Sequence, residues 1–120
     1  MRPGEAALDI GTGTGSVALA AAGQVGGTGR IVAIDISPDM LATDQARGIA
    51  SSISNVDFIE GRCEAIPVPD QSQDAILASL SLMYVLDRAS AAREIGRVLR
   101  PGGRLVGSVW AGPETADIVL

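Results

Sequence analysis

The segment that most constrains the fold is a run of alternating glycines, Gly11-Thr12-Gly13-Thr14-Gly15, which follows a short apolar stretch directly. The apolar stretch, Ala6 to Ile10, predicts strand 1, and the Ala-rich segment Ser16 to Ala22 predicts a helix that Gly23 ends. Glycines at alternate positions allow a tight turn and a close approach of a ligand to the backbone. A strand, a Gly-rich turn and a helix in this order predict one βα unit of a parallel sheet.

The alternation of strand and helix continues along the rest of the chain. Four further strands are predicted, at Arg30 to Ile36, Val56 to Glu60, Asp74 to Leu82 and Arg104 to Trp110. One helix is predicted from the Ser37 cap and Pro38 to about Ile49, and another from Ala89 to Leu99, stopped by Pro101-Gly102-Gly103. This order predicts an α/β fold with a Rossmann-like, doubly wound parallel sheet.

Composition and charge exclude several classes of function. The chain of 120 residues predicts one domain, its net charge is −5, and it contains no His and a single Cys, Cys63. Without His there is no Ser-His triad, no His general base and no His-based metal site, and one Cys forms no internal disulfide. The acidic balance disfavours nucleic acid as a partner. The sequence contains no predicted signal peptide or membrane span, so we expect a cytoplasmic protein.

An acidic residue at the end of the second strand strengthens the interpretation of the Gly-rich loop. Asp35 follows Gly15 by twenty positions, and in parallel sheets ligands lie beyond the carboxyl ends of the strands. A carboxylate there can accept hydrogen bonds from both ribose hydroxyls, while the helix after the loop points its free N–H groups at the same place. The pair of signals predicts a nucleoside site, whereas a Gly-rich loop alone is also typical of an ordinary βα turn.

Two kinds of nucleoside cofactor fit this pattern. The spacing Gly13-x-Gly15-x-x-Ala18 matches the looser dinucleotide pattern of NAD-type oxidoreductases. Asp9, two positions before Gly11, disfavours it because a carboxylate repels a pyrophosphate. A ligand with a cationic end, such as an amino group or a sulfonium, would be attracted. The alternative interpretation of Asp9 is a carboxylate that braces the loop, and both roles are compatible.

Four segments together resemble a known family. LDIGTGTG (8–15), GRIVAIDISPDML (29–41), VDFIEGRCEAIPVPDQSQDAILASLSLMYVLD (56–87) and REIGRVLRPGGRLVGSVW (93–110) are similar to the successive motifs of class I S-adenosylmethionine-dependent methyltransferases. The resemblance is greatest to the small-molecule type, similar to the ubiquinone/menaquinone methyltransferase group. It implies S-adenosylmethionine as the cofactor, a small-molecule methyl acceptor, and the strand order 3-2-1-4-5 without the usual last two strands.

The resemblance also implies roles for individual residues. Asp9, Gly11 and Gly13 would hold the methionine part of the cofactor and Asp35 its ribose, and Gly15 is also expected among the cofactor-binding residues. Ile36 and Met40 would lie on the faces of the adenine, although both positions are also compatible with ordinary core packing. The backbone N–H of Cys63 would meet the adenine ring. The methyl-donor end would be lined by Ser79, Leu80 and Ser81, and no catalytic residue is assigned.

The sequence departs from the family pattern at Arg62. Relatives usually carry an Asp there, which accepts a hydrogen bond from the adenine amino group, and an arginine has only donors to offer. Among the cofactor-binding positions, Arg62 is therefore the one whose role is altered. Either Glu64 replaces the missing acceptor, or the adenine is held by packing and backbone contacts.

A second departure concerns length. Relatives usually have helices before strand 1 and two further strands after strand 5, so the resemblance implies that residues 1–120 are the cofactor-binding core, a fragment of the complete enzyme. Strand 5 is then expected to be an open edge of the sheet, covered in the intact protein by a missing segment or by a dimer mate. Three hypotheses follow: a methyltransferase core, an NAD-type oxidoreductase domain, and a non-catalytic fragment that binds cofactor weakly or not at all.

Overall fold

The computed structural model describes residues 1–13, 15–79, 85–111 and 114–119, with the backbone alone for residues 79, 108–111 and 114–119. Strands and helices alternate as the sequence predicts, and one strand is added at the end. In chain order the elements are β1 (Ala6–Ile10), α1 (Ser16–Val25), β2 (Arg30–Asp35), α2 (Pro38–Ala50), β3 (Val56–Glu60), β4 (Gln73–Ser79), α3 (Arg88–Val98), β5 (Leu99–Ala111) and β6 (Glu114–Val119).

The strands form one sheet in the order β3-β2-β1-β4-β5-β6, in which the first five run parallel. The predicted order 3-2-1-4-5 is therefore confirmed. The expectation that strand 5 is an open edge is wrong, because β6 pairs with it antiparallel from Val106↔Val119 to Ala111↔Glu114. This ladder satisfies backbone groups that an open edge would leave free. The Gly-Pro pair at 112–113 is a turn signal in the sequence that the prediction did not use.

The core has one layer on each face of the sheet, and successive residues of β1 contribute to opposite layers. Ala7 packs on one face and Leu8 on the other, both fully buried. One layer consists of Leu8, Ile10, Ile34, Cys63, Ile66, Ile76, Ala78, Ala91, Val98 and Leu105. The other consists of Ala7, Ala18, Ala21, Ala22, Val25, Ile31, Ala33 and Ala75. Since both faces are covered, the central strands are almost continuously apolar.

Helix α1 extends further than its composition predicts. The expected end at Gly23 is wrong: the helix continues to Val25 and ends at Gly26, whose φ is +69°. Val25 is fully buried on the same stripe as Ala18, Ala21 and Ala22. Burial of one more turn against the sheet therefore outweighs the poor helix propensity of an exposed glycine.

Helix α3 ends earlier than predicted. Leu99 is extended (φ −73°, ψ 135°) and begins β5, so the segment Pro101-Gly102-Gly103 belongs to the strand and does not end the helix. Leu99 pairs with Gln73, and the register then shifts before Ala75 meets Arg104. The ladder with β4 thus sets the helix end. By contrast, α2 begins as predicted: the Ser37 hydroxyl accepts a hydrogen bond from the Met40 N–H at 3.3 Å, ahead of Pro38 at the first helical position.

Candidate functional site

The Gly-rich loop lies at the carboxyl end of β1 and leads directly into α1. Its three glycines have positive φ angles of 64°, 55° and 77° at Gly11, Gly13 and Gly15. Gly15 is the N-cap of α1, and no side chain caps this helix end. The first turn of α1 therefore directs backbone N–H groups and the positive end of the helix dipole to the carboxyl edge of the sheet.

Asp35 is fixed in place by backbone donors from two segments. Its Oδ2 accepts a hydrogen bond from the Gly13 N–H at 3.0 Å, and its Oδ1 accepts one from the Ser37 N–H at 2.9 Å. A carboxylate has about four lone-pair positions, so each oxygen keeps the capacity to accept a further hydrogen bond. The side chain is thus oriented before any ligand arrives, and it is only partly buried.

Backbone hydrogen bonds gather three strand ends around this carboxylate. The Thr12 N–H donates to the Ile34 carbonyl at 3.0 Å, which joins the loop to β2. On the other side, the Gly61 N–H donates to the Asp35 carbonyl at 2.9 Å, which joins the end of β3 to β2. The structure therefore brings together the Gly-rich loop, Asp35 and the segment after β3, as expected where the carboxyl ends of parallel strands meet.

Asp9 is buried beneath the loop, with 1% of its surface exposed. Its Oδ2 has no hydrogen-bond partner among the described residues. Burial raises the pKa of the Asp9 carboxyl to about 6; the Thr12 hydroxyl opposes this change, and the nearby charges of Asp35 and Asp44 add to it. A buried, incompletely partnered carboxylate is costly unless a positive group neutralises it, so this position favours a cation or a proton.

Asp44 belongs to the same environment, and sequence reasoning missed it. It lies on the buried stripe of α2 with Leu41 and Gly48, is fully buried, and neither carboxylate oxygen has a partner among the described residues. A Cβ placed on Gly15 would come within 3.0 Å of the Asp44 Cγ, so the carboxylate packs directly against the loop. Burial raises its pKa, Arg47 opposes that change, and Asp35 adds to it.

A cleft of about 310 Å³ opens beside Asp35 and is lined by Ile36, Glu60, Gly61 and Arg62. Ile36 is 66% exposed, and Met40, in the first turn of α2, is 37% exposed. The interpretation of these two side chains as ordinary core residues is therefore wrong. Ile36 lines the cleft, whereas Met40, four positions further along the chain, does not.

Glu64 is not among the residues that line this cleft. Its Oε2 accepts hydrogen bonds from the Leu86 N–H at 3.1 Å and from the Asp87 N–H at 3.5 Å, just before α3 begins. Cys63 is 4% exposed and belongs to the core, where burial raises the pKa of its thiol to about 11. Neither side chain lines the cleft, whose charged groups are Glu60 and Arg62.

Most of the predicted methyl-donor end lies outside the described residues. Ser79 is the last residue of β4 and pairs with Ser108, but its side chain lies outside the described residues. Leu80 and Ser81 also lie outside them. In the described part of the chain no helix is long and apolar enough to cross a membrane. The described residues likewise contain no group of three His, Cys, Asp or Glu side chains placed to hold a metal ion.

Comparison with known proteins identifies the family. The model of a family described as a methyltransferase domain matches residues 8–107, from β1 into β5. The chain belongs to this methyltransferase domain family. The ubiquinone/menaquinone biosynthesis C-methyltransferase UbiE of Enterobacter sp. (strain 638) is 39% identical over 108 residues, which make up 88% of this chain and 43% of that protein. The methyltransferase domain thus spans less than half the length of the curated relatives it matches.

Solved structures share the fold. A SAM-dependent methyltransferase from Aquifex aeolicus superposes with a TM-score of 0.86 at 26% identity, over 91% of this methyltransferase domain and 58% of that chain. The [4+2]-cyclase SpnF superposes with a TM-score of 0.83 at 34% identity, over 91% of this domain and 40% of that chain. The family match favours the methyltransferase hypothesis over the NAD-type oxidoreductase.

Proposed function

We propose that residues 1–120 form the cofactor-binding core of an S-adenosylmethionine-dependent methyltransferase that acts on a small molecule. Within it, Asp9, Gly11, Gly13 and Gly15 hold the methionine part of the cofactor, and Asp35 holds the ribose. The adenine lies in the cleft beside Asp35. This assignment follows the family, the Aquifex aeolicus structure, whose name states its dependence on the cofactor, and the arrangement of the strand ends.

The observation that carries the proposal is the fixed Asp35 carboxylate. It bonds to the Gly13 and Ser37 N–H groups and keeps acceptor capacity on both oxygens, which suits the two adjacent hydroxyls of a ribose. Since the same hydrogen bond ties Asp35 to the Gly-rich loop, the ribose subsite and the loop are built as one unit. Preorganisation of this kind reduces the entropy lost on binding.

The residues beneath the loop fit a ligand with positive charge. Asp9 is buried, and its Oδ2 has no hydrogen-bond partner among the described residues. Burial disfavours a negative charge there and raises the pKa, so a nearby cation would be stabilising. S-adenosylmethionine carries an ammonium group and a sulfonium, and when bound it would supply an already activated methyl group. A dinucleotide would instead bring a pyrophosphate toward the buried carboxylates Asp9 and Asp44, which repel it.

The task of this domain in the reaction is alignment. Holding two reactants in line can lower a barrier by ~7–11 kcal/mol. The loop and Asp35 fix the donor side, and the acceptor is a small molecule, as in the relative named for ubiquinone and menaquinone biosynthesis. The buried free thiol of Cys63 fits a reducing compartment, and we assign the protein to the cytoplasm.

The test is calorimetric titration with S-adenosylhomocysteine, with NAD as the control ligand. We expect the parent chain to bind the first and not the second. Asp35→Ala should weaken binding by about tenfold to a hundredfold for each hydrogen bond lost. Asp39→Ala is the matched control, because Asp39 is an exposed carboxylate four residues away, and its removal should change binding by less than about threefold.

The outcomes separate the three hypotheses. Selective binding of NAD would overturn the assignment, and a folded chain that binds neither ligand would favour a non-catalytic fragment. If Asp35→Ala binds S-adenosylhomocysteine as tightly as the parent, the ribose role of Asp35 is wrong. Thermal unfolding of each variant checks that the loop tied to Asp35 has not collapsed.

A further inference from the structure

We propose that Glu60 selects adenine in the cleft beside Asp35, by accepting a hydrogen bond from the exocyclic amino group of the base. The inference rests on the proposed function, since it takes the ribose to be held by Asp35. It assigns the acceptor role to a residue that the sequence did not single out.

The position of Glu60 places it next to the ribose subsite. Asp35 and Glu60 are the last residues of β2 and β3, and they are direct partners in the parallel register. Glu60 lines the cleft of about 310 Å³ together with Ile36, Gly61 and Arg62. A base attached to a ribose at Asp35 therefore has the cleft, and Glu60 within it, as its neighbouring space.

Glu60 is the carboxylate of the cleft that remains available. Its side chain is exposed, and among the described residues no hydrogen bond engages its oxygens. The rival acceptor, Glu64, is bonded through Oε2 to the N–H groups of Leu86 and Asp87. Glu64 does not line the cleft, and moving its carboxylate there would break these two hydrogen bonds ahead of α3, whereas Glu60 would give up only contacts with water.

The charged pair of the cleft matches one base edge. An ionised Glu60 only accepts hydrogen bonds, and Arg62 only donates them. Adenine presents an amino donor beside an unprotonated ring nitrogen, which complements an acceptor beside a donor. Hypoxanthine presents a carbonyl beside a protonated ring nitrogen, so each contact would face a group of its own kind. The cleft therefore distinguishes the two bases by hydrogen bonding, although their shapes are nearly equal.

The experiment compares two ligands with three proteins. S-adenosylhomocysteine and its inosine counterpart, S-inosylhomocysteine, are titrated by calorimetry into the parent chain, Glu60→Gln and Glu64→Gln. We expect the parent to prefer the adenine ligand by at least about tenfold, the effect of one charge-assisted hydrogen bond. A glutamine amide can accept or donate, so Glu60→Gln should reduce the preference to less than about threefold. Glu64→Gln, which also removes one negative charge, should keep the parental preference.

Each outcome decides the matter. A parent chain that binds neither ligand refutes the proposed function itself. Binding of both ligands with a preference that survives Glu60→Gln refutes the role of Glu60 and leaves the cofactor site standing. Loss of the preference in Glu64→Gln alone would assign the acceptor to Glu64, and a parent without any preference would show that the base is held by packing.

Discussion

Acidic residues at the two ends of the sheet differ in their hydrogen-bond partners and in the direction of their pKa shifts. At the amino ends of the strands, the Glu5 carboxylate receives two hydrogen bonds from Arg104, at 2.8 and 3.0 Å, and Asp74 receives one from Arg100 at 2.8 Å. At the carboxyl ends, Asp9 and Asp44 are buried with oxygens that have no partner among the described residues. The pKa of Glu5 is lowered to about 2, chiefly by the hydrogen bond from Arg104, whereas burial raises that of Asp9 to about 6.

The difference shows which end is built for a ligand. The amino end has the larger cleft, about 500 Å³, but Glu5, Asp74, Arg100 and Arg104 neutralise one another within it or beside it. The carboxyl end leaves negative charge uncompensated next to a Gly-rich loop. A cavity by itself therefore does not locate the site. Unbalanced charge on a preorganised backbone does, because the missing counter-charge must come from a ligand or a proton.

The largest expected effect comes from adding a methyl group where the loop meets Asp44. Gly15→Ala would force a left-handed conformation on alanine and place its Cβ 3.0 Å from the Asp44 Cγ. We expect the free energy of unfolding to fall by about 2–4 kcal/mol, from backbone strain and overpacking together. Denaturant unfolding measures it. Gly23→Ala is the matched control: its position in α1 is open within 4 Å, and it should stabilise by about 0.5–1 kcal/mol.

A double mutant sharpens this prediction. In an Asp44→Ala background the contacts with the carboxyl group are removed, and only the Cβ of residue 44, at 3.2 Å, and the strain of the positive φ remain. Gly15→Ala should therefore cost about 1–2 kcal/mol less there. Equal losses in both backgrounds would mean that the loop and Asp44 are not in contact.

Asp44 also shows where prediction from the sequence ends. Asp9, Asp35 and the glycines are marked by their place next to apolar strands, a local pattern that a sequence displays. Asp44 lies in a helix pattern in which Leu41 and Gly48 mark the buried face, and nothing local reveals that this face meets Gly15. The sequence did not reveal the role of Glu60 for the same reason. Its neighbour Asp35 is 25 positions away and is adjacent only through the β2–β3 register.

The predicted ends of helices and strands were wrong where pairing between distant segments outweighed local sequence signals. The segment Pro101-Gly102-Gly103 is a strong helix stop, yet α3 ends at Val98 because Leu99 enters the ladder with Gln73. The bounds of β1 and β3 were predicted correctly, since turn residues adjoin both strands. Sequence thus located the sheet and the loop, while contacts between distant segments set the remaining ends and half of the acidic environment.

The second prediction concerns the amino ends of the strands, where Glu5 and Arg104 neutralise each other. Glu5→Gln removes the bidentate partner of Arg104, and we expect a loss of about 2 kcal/mol at pH 7. Because the pKa of folded Glu5 is below its usual 4.5, its contribution is present above pH 4.5 and is lost as pH falls toward about 2. Parent and variant should therefore converge in thermal unfolding only as pH falls to about 2 and below.

The exposed pair Arg30–Asp57 provides the control for that measurement. Its side chains are 56% and 46% exposed, so Asp57→Asn should cost less than about 1 kcal/mol. If Asp57→Asn loses as much stability as Glu5→Gln, the Glu5–Arg104 pair contributes no more than an ordinary exposed ion pair.

The third prediction removes charge from the other end. Asp44→Ala should raise the free energy of unfolding at pH 7 by about 1–2 kcal/mol, because it eliminates a buried carboxylate that has no hydrogen-bond partner among the described residues. The pKa of folded Asp44 is raised, so the folded state binds more protons, and its stability falls as pH rises above the unfolded pKa of about 4. The advantage of the variant should therefore shrink toward pH 4. A variant less stable than the parent at pH 7 would mean that Asp44 is favourably paired.

The smallest expected effect is the pH dependence of ligand affinity that the charge of Asp9 would produce. An ammonium group near Asp9 favours its ionised form, so below the pKa of about 6 binding must release a proton. The affinity for S-adenosylhomocysteine should therefore rise up to about tenfold between pH 5 and pH 7, one pKa unit being 1.36 kcal/mol. Calorimetry in buffers of different ionisation enthalpy measures that proton directly. Asp9→Asn should bind more weakly and without this pH dependence. If the pH dependence persists in Asp9→Asn, the titrating group lies elsewhere, and Asp44, which faces the same loop, is the next carboxylate to replace.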